Sequence, residues 1–396
     1  MKINRPLAEL AIQALEEIFF QDKFADKVIE KCMKSQRQWG NPQRKFFAET
    51  IYETVRWYRL LDFMANSDDL WRVLGCCWLR QGFDLPNWEE FEGLTHDYVK
   101  RKGKQAAENF LVIQSLPDWL DKYGREQLGA DWEPIIKALN KPSEAFLRVN
   151  ALKATPEEVL LALKPNEIEA EKVSPELPHA LRLKERKNVF VTEAFRKGLF
   201  EMQDAGSQMI VPLLGIEPGH RVVDACAGSG GKTLHMSSLM KNKGRIIAMD
   251  IHEWKLHELK LRARRNGVDI IETRLIDSNK VVKRMAEQAD RLLLDVPCSG
   301  SGVLRRNPDT KWKLTIDEIE RLRALQYEIL STYSQMTKKG GQMVYATCSV
   351  FPSENEQQVE RFLKEQGDKW TLVKEIHVRP DKEGYDGFYA ALLKRK

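Results

Sequence analysis

Residues 221–233 read RVVDACAGSGGKT, and the fold turns on how this stretch is understood. An apolar, β-type run ends on Asp224, and a glycine-rich turn then opens into a helix-like segment. Gly230-Gly231-Lys232-Thr233 suggests a phosphate loop, but that motif requires a glycine where Cys226 stands. A dinucleotide GxGxxG fails as well, because Gly228 and Gly230 would need a third glycine at Thr233. What remains is a strand, an acidic residue and a turn whose glycines let a ligand approach the backbone closely.

Working outward, RVVDACA, GRIIAMD, IIETRLID, DRLLLDV and GGQMVYATC read as strands separated by helical stretches. The clearest of these helices carries Leu322, Leu325, Ile329, Leu330 and Tyr333 on one stripe. Apolar strands spaced by helices predict a mostly parallel sheet covered on both faces. TLVKEIHV and GFYAALLKRK add an antiparallel edge pair, giving seven strands. Asp250 closes the second strand, where it could accept both hydroxyls of a ribose. Asp277 closes the third, where it could take an adenine amino hydrogen. Any one of these aspartates alone would pass for a helix cap or a surface turn. Three at successive strand ends, on the carboxyl edge of the sheet, point to a ligand. An adenosine site with no pyrophosphate cradle suits S-adenosylmethionine.

Two cysteines reach the same edge. Cys298 lies in LLLDVPCSGSG, three residues after Asp295, and Cys348 lies in MVYATCSVFPSEN. Either alone could be an inert buried thiol. Together with Asp295 they fit methylation of an unreactive pyrimidine carbon. A thiolate adds to carbon 6 of cytosine and makes carbon 5 nucleophilic, an acid contacts ring nitrogen 3, and a second group assists elimination.

The chain has 396 residues, and 42% of them are hydrophobic. That length suggests two or three domains. The 16 Pro and 23 Gly exclude a fibrous or wholly disordered chain. No apolar run approaches the ~18 residues of a membrane span, and Glu16, Glu17 and Asp22 interrupt any signal-peptide core. The net charge of +5 permits an anionic partner without naming one. No CxxC pair suggests zinc, so no metal is expected, and the thiols imply a reducing, cytoplasmic compartment.

Residues 1–138 read as helical, with apolar residues at helical spacing from Leu7 to Ile18 and from Phe46 to Tyr58. Cys32, Cys76 and Cys77 belong to that helical core. The pattern fades between Phe91 and Phe110, where the basic run Lys100, Arg101, Lys102 and Lys104 reads as a solvated loop or helix end, or as an RNA backbone contact. Residues 139–195 form a small α/β subdomain. AFLRVNAL is β-like, and Thr155-Pro156-Glu157-Glu158 carries a capping box. Residues 196–396 hold the catalytic domain.

These motifs resemble the RsmB/Nop/Sun family of RNA cytosine-5 methyltransferases, nearest to bacterial 16S rRNA enzymes of the RsmB type. The resemblance is carried by the segment from Phe200 to Gln208, the turn from Asp224 to Thr233, Asp250, Asp277, Asp295-Val296-Pro297-Cys298-Ser299-Gly300 and Thr347-Cys348-Ser349. Arg305-Arg306-Asn307-Pro308-Asp309, Ser353-Glu354-Asn355 and Asp386-Gly387-Phe388-Tyr389 add to it. It implies a Rossmann-like S-adenosylmethionine-dependent methyltransferase core with a mostly parallel seven-stranded sheet, an N-terminal all-helical NusB-like domain and the small α/β subdomain.

Carried over by residue, the resemblance implies Cys348 as nucleophile, Cys298 as the release cysteine, Asp295 as the cytosine contact and Lys232 near both cofactor and base. The cofactor would lie against Cys226, Ala227, Gly228, Ser229, Gly230, Gly231, Lys232, Asp250, Asp277 and Asp295. RNA contacts would come from Arg148, Asn150, Gln203 and Asp204, with Arg305, Arg306, Lys100 and Arg101. The expected partner is 16S rRNA or a small-subunit assembly intermediate, bound by a monomer. A tRNA or other RNA substrate, or a binding protein that has kept the fold, are the alternatives. Where the family's turn usually has Pro, this chain has Ser229, which removes a preset φ.

Overall fold

The computed structural model describes residues 3–396. They form two compact units, residues 3–141 with 304–315, and residues 142–303 with 316–396.

The first unit is helical. Arg5–Phe20, Ala25–Ser35, Asn41–Arg56, Tyr58–Ala65 and Leu70–Arg80 enclose one apolar core in which Leu15, Phe47, Ile51, Leu61 and Trp78 are fully buried. Cys32, Cys76 and Cys77 are buried in that core, and burial pushes the Cys76 and Cys77 thiols up to about 12. The basic run lies on a further helix, His96–Ala106, capped by Thr95, whose side chain accepts from Tyr98 N at 3.1 Å. Only Val99 and Ala106 of this helix are buried, so the apolar stripe that would mark it in the sequence is missing.

The segment 304–315 completes this unit from the other half of the sequence. Lys311 is buried, and its ammonium donates to Arg56 O at 2.7 Å, Ser115 O at 3.0 Å and Asn140 Oδ1 at 3.2 Å. Trp312 donates to Val55 O at 2.7 Å, and the Asp309 carboxylate accepts from Ala25 N at 2.9 Å.

The second unit contains two sheets. In the smaller, β1 (Phe146–Val149), β2 (Ala170–Lys172), β3 (Ala180–Leu183) and β4 (Phe200–Met202) pair antiparallel in the order β2-β3-β1-β4. Its helix Pro156–Leu163 starts with the expected capping box from Thr155 and Glu158. The larger sheet comprises β5 (Arg221–Asp224), β6 (Arg245–Asp250), β7 (Ile271–Leu275), β8 (Ala289–Asp295), β9 (Thr337–Thr347), β10 (Trp370–Val378) and β11 (Phe388–Arg395).

The larger sheet runs in the order β10-β11-β9-β8-β5-β6-β7. β5 to β9 are parallel, and β11 joins β9 and β10 antiparallel. The central strands are apolar on both faces, as a sheet covered on both sides requires, and the helix Ile316–Tyr333 supplies part of that cover. Strand order reverses beside β5, which lies between β6 and β8. Connections there leave in opposite directions and open a crevice at the carboxyl ends.

Candidate active site

Asp224, Asp250 and Asp295 each end a strand beside that crevice. The turn after Asp224 is drawn against β6. Ala227 N donates to Met249 O at 2.9 Å, and Gly228 N donates to Asp250 Oδ2 at 2.8 Å. Asp250 Oδ1 accepts from His252 N at 2.9 Å. A carboxylate offers about four lone-pair sites, so these two bonds orient Asp250 and leave acceptor capacity at the rim. Ile276 N donates to Asp250 O at 2.9 Å, which brings Asp277 beside the end of β6. Asp277 itself is exposed, two residues beyond the end of β7, and accepts from Ser278 Oγ at 2.9 Å.

Gly230 has φ +86°, and a Cβ there would lie 2.0 Å from Leu259 Cδ1, so both backbone shape and packing require glycine. Ser229 stands where a proline would preset the turn. Its hydroxyl donates to Glu258 Oε2 at 2.9 Å, and its carbonyl accepts from Arg262 at 2.7 Å. Side-chain ties thus do the work of the missing ring. Burial raises the Asp224 carboxyl to about 7, against the hydrogen bond from Thr233 Oγ1 at 2.7 Å. The Cys226 thiol, behind the turn, is pushed up by burial.

Lys232 follows the glycines and donates to Asp295 Oδ2 at 2.6 Å. Burial alone would lower its ammonium pKa, but Asp295, with Cys348 and Asp224, outweighs burial and holds it above the ordinary lysine value. Lys232 is therefore a fixed cation rather than a base.

β8 and β9 are neighbours, with Asp295 opposite Ala346, so the loops beyond them leave the sheet side by side. Cys298 and Cys348 are each half-buried, and their sulfurs are 3.2 Å apart. Cys348 N donates to Cys298 Sγ at 3.3 Å. The hydrogen bond with Cys348, then burial, pushes the Cys298 thiol up. Gly302 allows the close packing of these loops. Its N–H donates to Cys348 O at 2.9 Å, and a Cβ on it would lie 2.2 Å from Gly387 O.

The other expected site residues are placed less uniformly. Gln203 and Asp204 are half-buried, and Asp204 Oδ1 caps a short helix through Gly206 N at 2.8 Å. Arg148 and Asn150 are buried and bonded internally. Arg148 donates to Gln203 and to Gly231 O at 2.6 Å, and Asn150 donates to Gly198 O at 2.9 Å and Asn266 O at 3.0 Å. In the helical unit Arg305 is buried and Arg306 half-buried, whereas Lys100 and Arg101 are exposed. Two groups that sequence reasoning gave no role stand at the site. Ile251, directly after Asp250, is 62% exposed, and Glu354 is fully buried between the cysteine loops. An apolar residue directly after the strand-end Asp250 was the available signal for the first.

The family described as 16S rRNA methyltransferase RsmB/F matches residues 211–394, and the ferredoxin-like domain of that group matches residues 116–190. A probable ribosomal RNA small subunit methyltransferase B of Synechocystis is 30% identical, across 98% of this chain and 99% of its own. The chain belongs to the RsmB/F family of methyltransferases.

A second member, from Bacillus subtilis, is 33% identical across 79% of this chain and 71% of its own. The solved structure of PH0851 is 26% identical, covers 99% of this chain and 100% of its own, and superposes with a TM-score of 0.81. Membership makes the chain an S-adenosylmethionine-dependent RNA (cytosine-5)-methyltransferase. The turn fits that cofactor. A Cβ at Gly228 or Gly231 would meet nothing within 4 Å, which leaves open space above the backbone, and Asp250 retains acceptor capacity beside it. Among the described residues no group of His, Cys, Asp and Glu is arranged to hold a metal ion, and no helix is long and apolar enough to cross a membrane.

Proposed function

We propose that this enzyme methylates carbon 5 of a cytosine in 16S rRNA through a covalent cysteine adduct. The observation that carries the mechanism is the 3.2 Å approach of Cys298 and Cys348 beside the Lys232–Asp295 pair. The likeness to probable ribosomal RNA small subunit methyltransferases B of Synechocystis and Bacillus subtilis supports the substrate.

Cys348 is the nucleophile. Its sulfur bonds to cytosine carbon 6, and the ring's electron pair moves to carbon 5. S-adenosylmethionine supplies the methyl group that carbon 5 takes. The carbon-5 proton then passes to solvent as the carbon–sulfur bond breaks, its electron pair leaving with sulfur, which restores the aromatic ring and frees Cys348 as a thiolate. Cys298, held with its proton, sits where it can exchange protons as the adduct resolves. Asp295 contacts ring nitrogen 3, and its bond to Lys232 fixes both its rotamer and a positive charge beside the attacking sulfur. The exposed Lys100 and Arg101 contribute phosphate contacts, so affinity falls steeply with salt.

Substituting each cysteine tests the assignment. Cys348→Ala abolishes methyl transfer to RNA cytosine. Cys298→Ala accumulates a protein–RNA adduct that survives denaturing electrophoresis. Normal turnover by Cys348→Ala overturns the nucleophile, and absence of the adduct overturns the release role. Bisulfite mapping of 16S rRNA from cells with and without the gene tests the substrate.

A further inference from the structure

A buried carboxylate with no part in the chemistry above joins the two cysteine loops. Glu354 ends the short turn Pro352–Glu354 and is fully buried. Its Oε1 accepts from Ser299 N at 2.8 Å and Gln326 Nε2 at 2.9 Å, and its Oε2 accepts from the hydroxyls of Ser299 and Ser349. Its own carbonyl accepts from the Tyr345 hydroxyl at 2.6 Å, which locks the turn to β9. Ser299 directly follows Cys298, and Ser349 directly follows Cys348.

We propose that Glu354 is a positioning residue that sets the spacing of the Cys298 and Cys348 sulfurs by binding the residue next to each. Burying a carboxylate costs several kcal/mol unless its lone pairs are filled, and here the donors match its sites. A neutral or apolar side chain would hold a turn at lower desolvation cost. An ionised carboxylate gives shorter and stronger bonds than a neutral acceptor, and its planar fork fixes direction as well as distance. The surrounding bonds brace the same register. Ser301 and Ser349 hydroxyls lie 2.9 Å apart, Val350 N donates to Ser301 Oγ at 3.0 Å, and Asn355 Nδ2 donates to Ser349 O at 3.0 Å. Each cysteine is thus one residue from a common anchor, and the two loop backbones cannot separate beside the cysteines without breaking bonds to the buried carboxylate.

The inference rests on the two-cysteine mechanism, and its test separates the two. In cofactor-free protein, diamide takes two electrons and two protons from a thiol pair as a disulfide forms. The rate at which Cys298 and Cys348 join, followed by mass spectrometry of the linked peptides, therefore reports sulfur approach without any catalysis. Glu354→Ala is expected to slow this crosslinking at least 10-fold. It should lower kcat about 100-fold, the scale of an ångström-level misplacement, with KM for S-adenosylmethionine within about twofold of wild type. Glu354→Gln, which keeps an acceptor for Ser299 N and Gln326, should recover kcat to within about 10-fold of wild type.

If Glu354→Ala does not fold, the double variant S299A/S349A removes only the hydroxyl ties and is expected to slow crosslinking and kcat about 10-fold. Crosslinking at the wild-type rate in the folded variants overturns the positioning role, even if stability falls. Full turnover by Cys348→Ala would instead sink the mechanism, while the crosslinking comparison would still decide the spacing.

Discussion

The three glycines of the cofactor turn allow folding to be separated from ligand binding, because an alanine costs something different at each. At Gly231, the first residue of the helix Gly231–Leu239, an added Cβ meets nothing within 4 Å, and alanine favours a helix by about 0.5–1 kcal/mol. Gly231→Ala should therefore leave thermal stability unchanged or slightly raised. At Gly228 the added Cβ is also free, but φ is +52°, a left-handed conformation that costs about 1–2 kcal/mol for an L-residue.

At Gly230 the same penalty applies at φ +86°, and the Cβ also meets Leu259 Cδ1 at 2.0 Å and Cγ at 3.0 Å. Leu259 is fully buried and cannot swing into solvent. Overpacking of this kind costs about 1–3 kcal/mol, so Gly230→Ala should lose about 2–5 kcal/mol in all, or roughly 4–20 °C in Tm for a unit of this size. Leu259→Ala is destabilising alone, but in the double variant it relieves the clash, and a coupling of about 1–3 kcal/mol should appear in a mutant cycle.

Calorimetric unfolding gives the stability series, and isothermal titration with S-adenosylmethionine gives the affinities. Gly231→Ala is the decisive member. A side chain in open space over the turn should weaken cofactor binding at least 10-fold while Tm holds, since it intrudes only on a bound ligand. Wild-type affinity in Gly231→Ala would refute the placing of the cofactor over this turn. An unchanged Tm in Gly230→Ala would refute the packing argument.

Two further outcomes follow from buried polar groups. Asp224 holds its proton to about pH 7 in the folded protein, against 3.8 as the ordinary value. Its contribution to stability is therefore complete below about pH 4 and is lost as pH rises to about 7. Relative to Asp224→Asn, the wild type should lose up to about 1.4 kcal/mol per pH unit across that window. Parallel denaturation curves at pH 5 and 7 would contradict this. In the helical unit, a fragment of residues 1–141 lacks the donor for Arg56 O, Ser115 O and Asn140 Oδ1, at about 1–3 kcal/mol for each buried acceptor left bare. It should be unfolded or weakly folded by circular dichroism and be rescued by a peptide of residues 304–315. A Lys311→Met peptide that rescues equally well would show that the ammonium is not what matters.

The centre of the sheet was legible because β5, β6 and β8 carry apolar runs that end on an aspartate, and the alternation of such runs with helices leaves few topologies. The site's edge was legible for the same reason, since Asp224, Asp250 and Asp295 all end strands. The meeting of the two sulfurs depends on β8 lying next to β9, a pairing of residues about 50 apart that no local pattern encodes. Glu354 carried no role in the sequence, because its donors come from three separate segments that only the fold brings together. Arg148 shows the converse. All four residues of β1 are buried, so the strand has no wet face and the arginine is enclosed with it. Lys311 and Trp312 lie in a run with no apolar periodicity to mark it as core, and only the fold wraps them in carbonyl groups.

That wrapping places a constraint on synthesis. Residues 1–141 emerge from the ribosome first, yet the strand of chain that fills their interior begins at 304. About 160 residues must be translated in between, which at 5–20 residues per second is roughly 8–30 s. For that interval Arg56 O, Ser115 O and Asn140 Oδ1 are without the Lys311 donor that fills them in the folded chain. The unit that leads the sequence is the one whose folding must wait.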